Sequence, residues 1–384
     1  MSARDAADVV IVGAGVVGAI AARELAVDRE VLVVDRDAVA AGATGVSAGL
    51  VSPTLFYGDR PAAARHANAF FRSFDGTAGF TFTERRRFDL VEAADVAGAR
   101  RTADALAAHG FPVAYRDAAA VEERAPDLDL AGFAGAVEYG DTGWVDPYGL
   151  TVALEADAEG RGARFERDTP VERVLVEDGS VVGVETPDGP RYADHVVVAA
   201  GWRTPALLDG LVDLPVAPYR TQCLVLDPGR DLDPAFPMGR VGSEELYFRP
   251  EHNGDLLVGG SHELVDDPVA ASTDVDESFR NQVAAFVPGL LRDFERAGVV
   301  NGWAGVDAAT PDGRPVIDAP GDAPDGLVVA TGFNGLGVTV SPVAGTAVRT
   351  LVTGEDPPFS LDPYRLARFD AVDDAFALHS TSDF

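Results

Sequence analysis

The chain has 384 residues, 47% of them hydrophobic, which is enough apolar material for more than one buried core. All 31 basic residues are arginine, set against 62 acids for a formal charge of -31, so lysine Schiff bases, Walker lysines and lysine general bases are excluded. A surface this negative also repels nucleic-acid phosphates and anionic lipids, and a single cysteine, Cys223, leaves no disulfide framework or multi-cysteine metal site.

The segment Met1 to Asp8 carries acids and one arginine, with neither a basic n-region nor an apolar h-region. The longest apolar runs, such as Val196 to Ala200 and Leu327 to Ala330, have strand length. No membrane span is therefore expected, and the expected location is the cytoplasm.

Asp8 to Val12 is short, apolar and β-branched, which predicts a buried parallel strand. It runs into Gly13, Ala14, Gly15, Val16, Val17 and Gly18, a GxGxxG turn. Apolar residues at helical spacing follow (Ala19, Ile20, Ala22, Leu25), then a break at Asp28-Arg29 and a second strand over Glu30 to Val34 that ends at Asp35. In such a unit the glycines let backbone N–H groups approach a pyrophosphate, the helix N-terminus supplies partial positive charge, and the acid accepts from ribose hydroxyls. An acid there repels a 2′-phosphate, which disfavours NADP. NAD and FAD both remain.

Further along, Val171 to Thr186 has hairpin character, with turns at Glu177-Asp178-Gly179 and Asp188-Gly189. His195 to Ala199 is a buried strand closed by Ala200, Gly201 and Trp202. Cys223 sits in the apolar stretch Gln222 to Leu226 and reads as a buried strand cysteine. Leu327 to Ala330 is another strand, entering the glycine-rich turn Thr331 to Gly337. Ser341-Pro342 reads as the N-cap and N1 of a helix running to Thr353, with Gly354 as its stop. A second glycine-rich turn aimed at a second helix start suits a flavin, whose reduced ring carries negative charge near N1 and the C2 carbonyl. NAD makes no such demand. The acidic tail after Phe369 carries no motif.

Four blocks now carry a resemblance: Val10 to Gly15; Gly42, Ala43, Thr44, Gly45, Val46, Ser47, Ala48, Gly49 and Leu50; Trp303-Ala304-Gly305 with Thr310 to Pro315; and Ala330 to Gly335. In order and spacing the chain resembles the D-amino-acid oxidase, glycine oxidase and sarcosine oxidase family of flavoproteins, nearest to the sarcosine oxidase β-subunit and amine dehydrogenase branch. Its acid-rich, lysine-free composition also resembles that of proteins from salt-loving archaea.

The resemblance implies a mixed α/β and α+β fold: a Rossmann-like FAD-binding domain from 1–80, 143–213 and 300–384, and a discontinuous antiparallel-sheet substrate domain from 81–142 and 214–299. It implies that FAD lies along the GxGxxG turn, Asp35 and Arg36, the loop Gly42 to Leu50, Val171, the strand end Ala200 to Trp202, and Gly305. It adds the stretch Gly332, Phe333, Asn334, Gly335, Leu336, Gly337, Val338 and Thr339.

The placement of Tyr247 and His262 is similar to an active-site tyrosine and histidine of monomeric sarcosine oxidase. Strand alternation puts Arg249 on the face of Tyr247, as a candidate partner for a substrate carboxylate. The departures matter as well. The cysteine and histidine that tether flavin in relatives fall on Gly305 and Val46, so the resemblance implies non-covalent FAD. The family's oxygen-activating lysine falls on Val258, a carboxylate-binding lysine on Val338 and a carboxylate-clamping arginine on Asp307. The expected activity is oxidation of a small amine or amino acid by hydride transfer to flavin N5, with a dehydrogenase favoured over an oxidase. The electron acceptor stays open between oxygen, a quinone and a carrier protein. The alternatives are 2-hydroxy-acid oxidation on the same scaffold and a flavin subunit of an electron-transfer assembly.

Overall fold

The computed structural model describes residues 6–370, 372 and 376–378. The first five residues and most of the acidic tail after Phe369 lie outside the described residues. Two eight-stranded sheets and a small three-stranded sheet organise the described chain.

In the first sheet, Ala6–Val12 pairs in parallel with Val31–Val34 on one side and Arg191–Val198 on the other. Arg191–Val198 pairs in turn with Leu327–Thr331, also in parallel. These strands are continuous runs of Val, Leu and Ile because both faces are covered; Val9, Val10 and Ile11 have no exposed surface. The helix Val16–Leu25 packs between the helices Pro147–Gly160 and Gly337–Thr353, and Ile20 fits against Gly345. The expected hairpin is present as Arg173–Glu177 and Ser180–Glu185. Its turn residues Asp178 (φ 50) and Gly179 (φ 85) are both left-handed, as a tight hairpin turn requires.

The second sheet has the strand order Gly298–Ala309, Ala217–Asp227, Leu256–Leu264, Leu246–Pro250, Met238–Val241, Arg87–Val91, Gly135–Tyr139, Val113–Asp117. Every pairing is antiparallel except that of Met238–Val241 with Arg87–Val91. One face packs Phe88, Phe248, Leu256 and Val258 against Phe279 and Val283 of the helix Glu277–Leu290. The other face turns toward the first sheet. Gly298–Ala309 pairs along its length with Ala217–Asp227, so a domain boundary set at residue 300 runs through a strand of the second sheet.

The last helix begins earlier than the Ser341-Pro342 pair suggests. It spans Gly337–Thr353, with Pro342 inside it. Pro342 has no N–H for the Val338 carbonyl, and the Ser341 hydroxyl donates to that carbonyl instead (2.9 Å). Gly354 closes the helix in the left-handed conformation (φ 74), as expected.

The tightest spot is the first turn. Gly13 has φ 111, and a Cβ on Gly18 would sit 1.8 Å from the Gly13 carbonyl oxygen. Gly18→Ala is therefore expected to force the turn open and to lower stability by about 1–3 kcal/mol. A reduced urea midpoint at unchanged m-value in matched salt would show it, and an unaltered midpoint would contradict it.

Candidate active site

At the ends of the first-sheet strands the two helix starts face one cavity of about 510 Å³. The residues expected at the cofactor line it, with four exceptions that act from behind. Ala14 N–H donates to Asp35 Oδ2 (2.6 Å), Gly18 seats the helix on the turn, Gly332 packs against Thr310, and Asn334 N–H donates to the Ala308 carbonyl (2.8 Å).

Asp35 is held by Ala14 N–H and by Asp37 N–H (2.9 Å) to its other oxygen. Burial pushes its pKa up, and those two donors oppose the shift. Thr44 Oγ1 accepts from Val16 N–H (3.1 Å), which ties the loop after the second strand to the helix start. Arg203, which no motif marks, lines this end with its guanidinium 3.9 Å over the Trp202 ring.

At the other end of the cavity lie Gly335, Leu336, Gly337, Val338 and Thr339, where the last helix begins. The earlier start at Gly337 gives the cavity the first N–H groups of that helix. Gly335 N–H donates to Asp307 Oδ2 (2.8 Å), and Tyr219 Oη stands 3.5 Å from the same oxygen. Burial raises the Asp307 pKa against these hydrogen bonds.

Two donors from the second sheet hold the loop Gly42 to Leu50. Trp303 Nε1 donates to the Val46 carbonyl (2.8 Å) and Arg249 Nε to the Ala48 carbonyl (2.6 Å). The Arg249 guanidinium also lies 4.3 Å over the Trp144 ring and 3.0 Å from Glu251 Oε2, and the residue is 5% exposed. Arg249 is thus on the expected face of the sheet but under the loop rather than in the cavity lining. Its side chain positions the loop.

Tyr247 and His262 do line the cavity. Tyr247 lies directly across from Gly259, where a Cβ would meet the tyrosine Cζ at 2.3 Å, so the ring leans over the glycine. Its hydroxyl reaches 3.5 Å from Cys223 Sγ. Burial holds the Tyr247 phenol well above its usual range, so it stays protonated. The His262 ring lies 5.8 Å from that of Tyr219. Val258 points into the core on the opposite face, so a valine there removes no cation from the cavity. Arg87, Arg240, Phe56 and Thr221 also line the cavity, and sequence reasoning missed all four.

The residues fit an FAD. A Cβ at Gly13 would strike the Ala199 carbonyl oxygen at 2.4 Å, so the turn stays glycine-bare and its amides can approach a diphosphate. One continuous lining joins Asp35 and Val171 to the start of the last helix. Gly305 and Val46 touch: a Cβ at Gly305 would sit 2.2 Å from Val46 Cγ2, and neither residue carries a nucleophile. Among the described residues no cluster has the make-up of a metal site, and no helix is long and apolar enough to cross a membrane.

Comparison with known proteins agrees with this geometry. The model of the family described as "FAD dependent oxidoreductase" matches residues 8–351. A D-amino acid dehydrogenase of Cereibacter sphaeroides is 32% identical over 305 residues, 77% of this chain and 67% of its own. A glycine oxidase of Pseudomonas putida is 32% identical over 189 residues, 49% of each chain. Among solved structures, glycine oxidase from Geobacillus kaustophilus superposes with TM-score 0.83 at 25% identity, covering 96% of this chain and 100% of its own. L-proline dehydrogenase from P. horikoshii shares the fold with TM-score 0.87 at 22% identity, over 95% and 98%.

Two expectations follow from the site. Arg249→Met removes the donor to the Ala48 carbonyl and is expected to weaken FAD binding roughly tenfold. Fluorescence titration of apoprotein measures this, and an unchanged Kd would remove Arg249 from loop positioning. Burial raises the Cys223 thiol to about 11, and the residue is 2% exposed. Native protein at pH 8 should therefore leave Ellman's reagent uncoloured until it is unfolded.

Proposed function

The chain belongs to the family of FAD-dependent oxidoreductases, and we propose that within it the protein oxidises the C–N bond of a small amino acid or amine as a dehydrogenase. FAD supplies the acceptor for the hydride leaving the carbon beside nitrogen. The observation that carries the reading is the single cavity whose lining runs from the two helix starts to Tyr247 and His262.

Tyr247, kept protonated by burial, offers a hydroxyl donor to a substrate carboxylate or amine. His262 and Tyr219 stand beside it with Asp307 at the edge of the last helix start. The apolar lining from Leu50, Phe56 and Leu246 excludes water from the reacting carbon. The curated relatives named as D-amino acid dehydrogenase and glycine oxidase support an amino-acid substrate, and the former supports a dehydrogenase. The acceptor is oxygen, a quinone or a carrier protein. The acid-rich, lysine-free composition supports work in a salt-rich cytoplasm.

Anaerobic titration in high salt with N-methyl, D- and L-amino acids tests this, following flavin absorbance at about 450 nm. Bleaching with release of ammonia or an alkylamine is expected, as is faster return of colour with a quinone or redox dye than with air. Bleaching by 2-hydroxy acids alone would replace the amine reading.

A further inference from the structure

One acid on the cavity wall, Asp307, has no part in the oxidation chemistry above. It lies in Gly298–Ala309, directly across from Tyr219 in Ala217–Asp227. Gly305 and Thr221, the next opposed pair on that sheet face, line the cavity with them. His262 completes this stretch of wall, its ring 5.8 Å from that of Tyr219.

Asp307 is half-buried. Gly335 N–H (2.8 Å) and the Tyr219 hydroxyl (3.5 Å) both donate to Oδ2, which leaves Oδ1 for a ligand. The groups that act on this carboxyl are those two and the Ala308 N–H, and no guanidinium is among them. Arg220, beside Tyr219 on the opposite face, is held by Asp276 (2.7 Å), and Arg368 is held by Asp312 (2.8 Å). Arg240 and Arg87 belong to strands four and five places along the sheet, about 19 and 24 Å away. Tyr219, His262 and Tyr247 are the titratable side chains that share the nearer wall. Burial first and Asp307 second keep the Tyr219 phenol well above its usual range, so it remains a donor.

A carboxylate enclosed without a counter-ion costs free energy, and burial accordingly raises its pKa. Pinning the Gly335 turn does not need the charge, because an asparagine oxygen would accept the same N–H. The charge is satisfied by a cation that arrives in the cavity. An amine reaches the site as an ammonium at neutral pH, and its carbon gives up no hydride until nitrogen has regained a lone pair.

We propose that Asp307 seats the ammonium group of the substrate and takes one proton from it. This rests on the amine-oxidation reading above. The N–H bond breaks, an O–H bond forms at Asp307 Oδ1, and the electron pair of the broken bond stays on nitrogen. Two opposite charges vanish in that transfer, so an enclosed wall that excludes water favours it. Tyr219 and Gly335 N–H hold the carboxyl group in place through Oδ2. The proton returns to water when product leaves the cavity.

Two experiments on FAD-loaded protein test this, with Asp307→Asn keeping an acceptor for Gly335 N–H while removing the charge. The first follows anaerobic flavin bleaching by each reactive amino acid, well below saturation, from about pH 6 to about pH 10. Wild type is expected to hold its rate far below the pKa of the free ammonium. It should lose that rate only as Asp307 is protonated, at a pH above the ordinary carboxylate range because burial raises its pKa. Asp307→Asn should climb about tenfold per pH unit, from roughly a hundredfold below wild type at about pH 7 to within about threefold at about pH 10. Asp307→Glu should keep the wild-type profile, which serves as the comparison if the asparagine variant does not fold. Parallel profiles for wild type and Asp307→Asn, or a wild-type rate that itself climbs up to the ammonium pKa, would overturn the proposal.

The second needs no turnover. Ammonium chloride, which has no carbon, and tetramethylammonium chloride, which has no proton to give, are titrated against the flavin absorbance, with sodium chloride at equal ionic strength as control. Wild type is expected to show a saturable shift beyond the control, and Asp307→Asn should raise the Kd roughly tenfold or more at unchanged flavin content. No such shift in wild type, or equal Kd values in the two proteins, would sink the ammonium seat. If no amine reduces the wild-type flavin, the amine-oxidation reading falls, and this titration still decides the seat on its own.

Discussion

The architecture depends on one strand. Arg191–Val198 is paired in parallel with both Ala6–Val12 and Leu327–Thr331, which joins the two ends of the chain. Parallel strands in one sheet place their following turns at the same edge, so both helix starts emerge there side by side. A diphosphate and a reduced ring are the two electron-rich parts of FAD, and they are far apart within it. Two separately encoded N-termini open on one cavity at that edge.

The second sheet completes the site from the opposite side. Its contribution is partly mechanical: Trp303 and Arg249 grip the Val46 and Ala48 carbonyls of a glycine-rich loop that has few side chains of its own to hold it. Its contribution is also chemical, through the row running from Cys223 past Gly259 to Tyr247, Arg240 and Asp89. The missing side chain at Gly259 gives Tyr247 room to lie flat along that row. The loop and this cavity wall are thus joined through shared strands rather than through one continuous stretch of sequence.

How much of this was legible followed from how local each signal is. The first strand, turn, helix and acid lie within thirty or so residues, and each glycine there answers a close contact, so the motif reads directly. The helix start at Gly337 was hidden because Ser341-Pro342 imitates a cap, while in the fold the serine hydroxyl repairs the bond that the proline lacks. Alternation gave Arg249 its correct face but not its place along the strand, which is set by the loop lying over it. Arg87, Arg203 and Arg240 had no motif at all. Their places in the cavity wall are set by neighbours distant in sequence, and in a chain whose only strong base is arginine the residue type singles out no position.

The contact between Gly305 and Val46 has a consequence of its own. Neither position carries a nucleophile to tether the cofactor, and a cofactor held by reversible forces belongs to a mass-action equilibrium. The folded state is then stabilised in proportion to the logarithm of free flavin nucleotide. A cell starved of riboflavin would carry this protein as a less durable apoprotein. A cofactor damaged by light is then one the protein can exchange without being resynthesised.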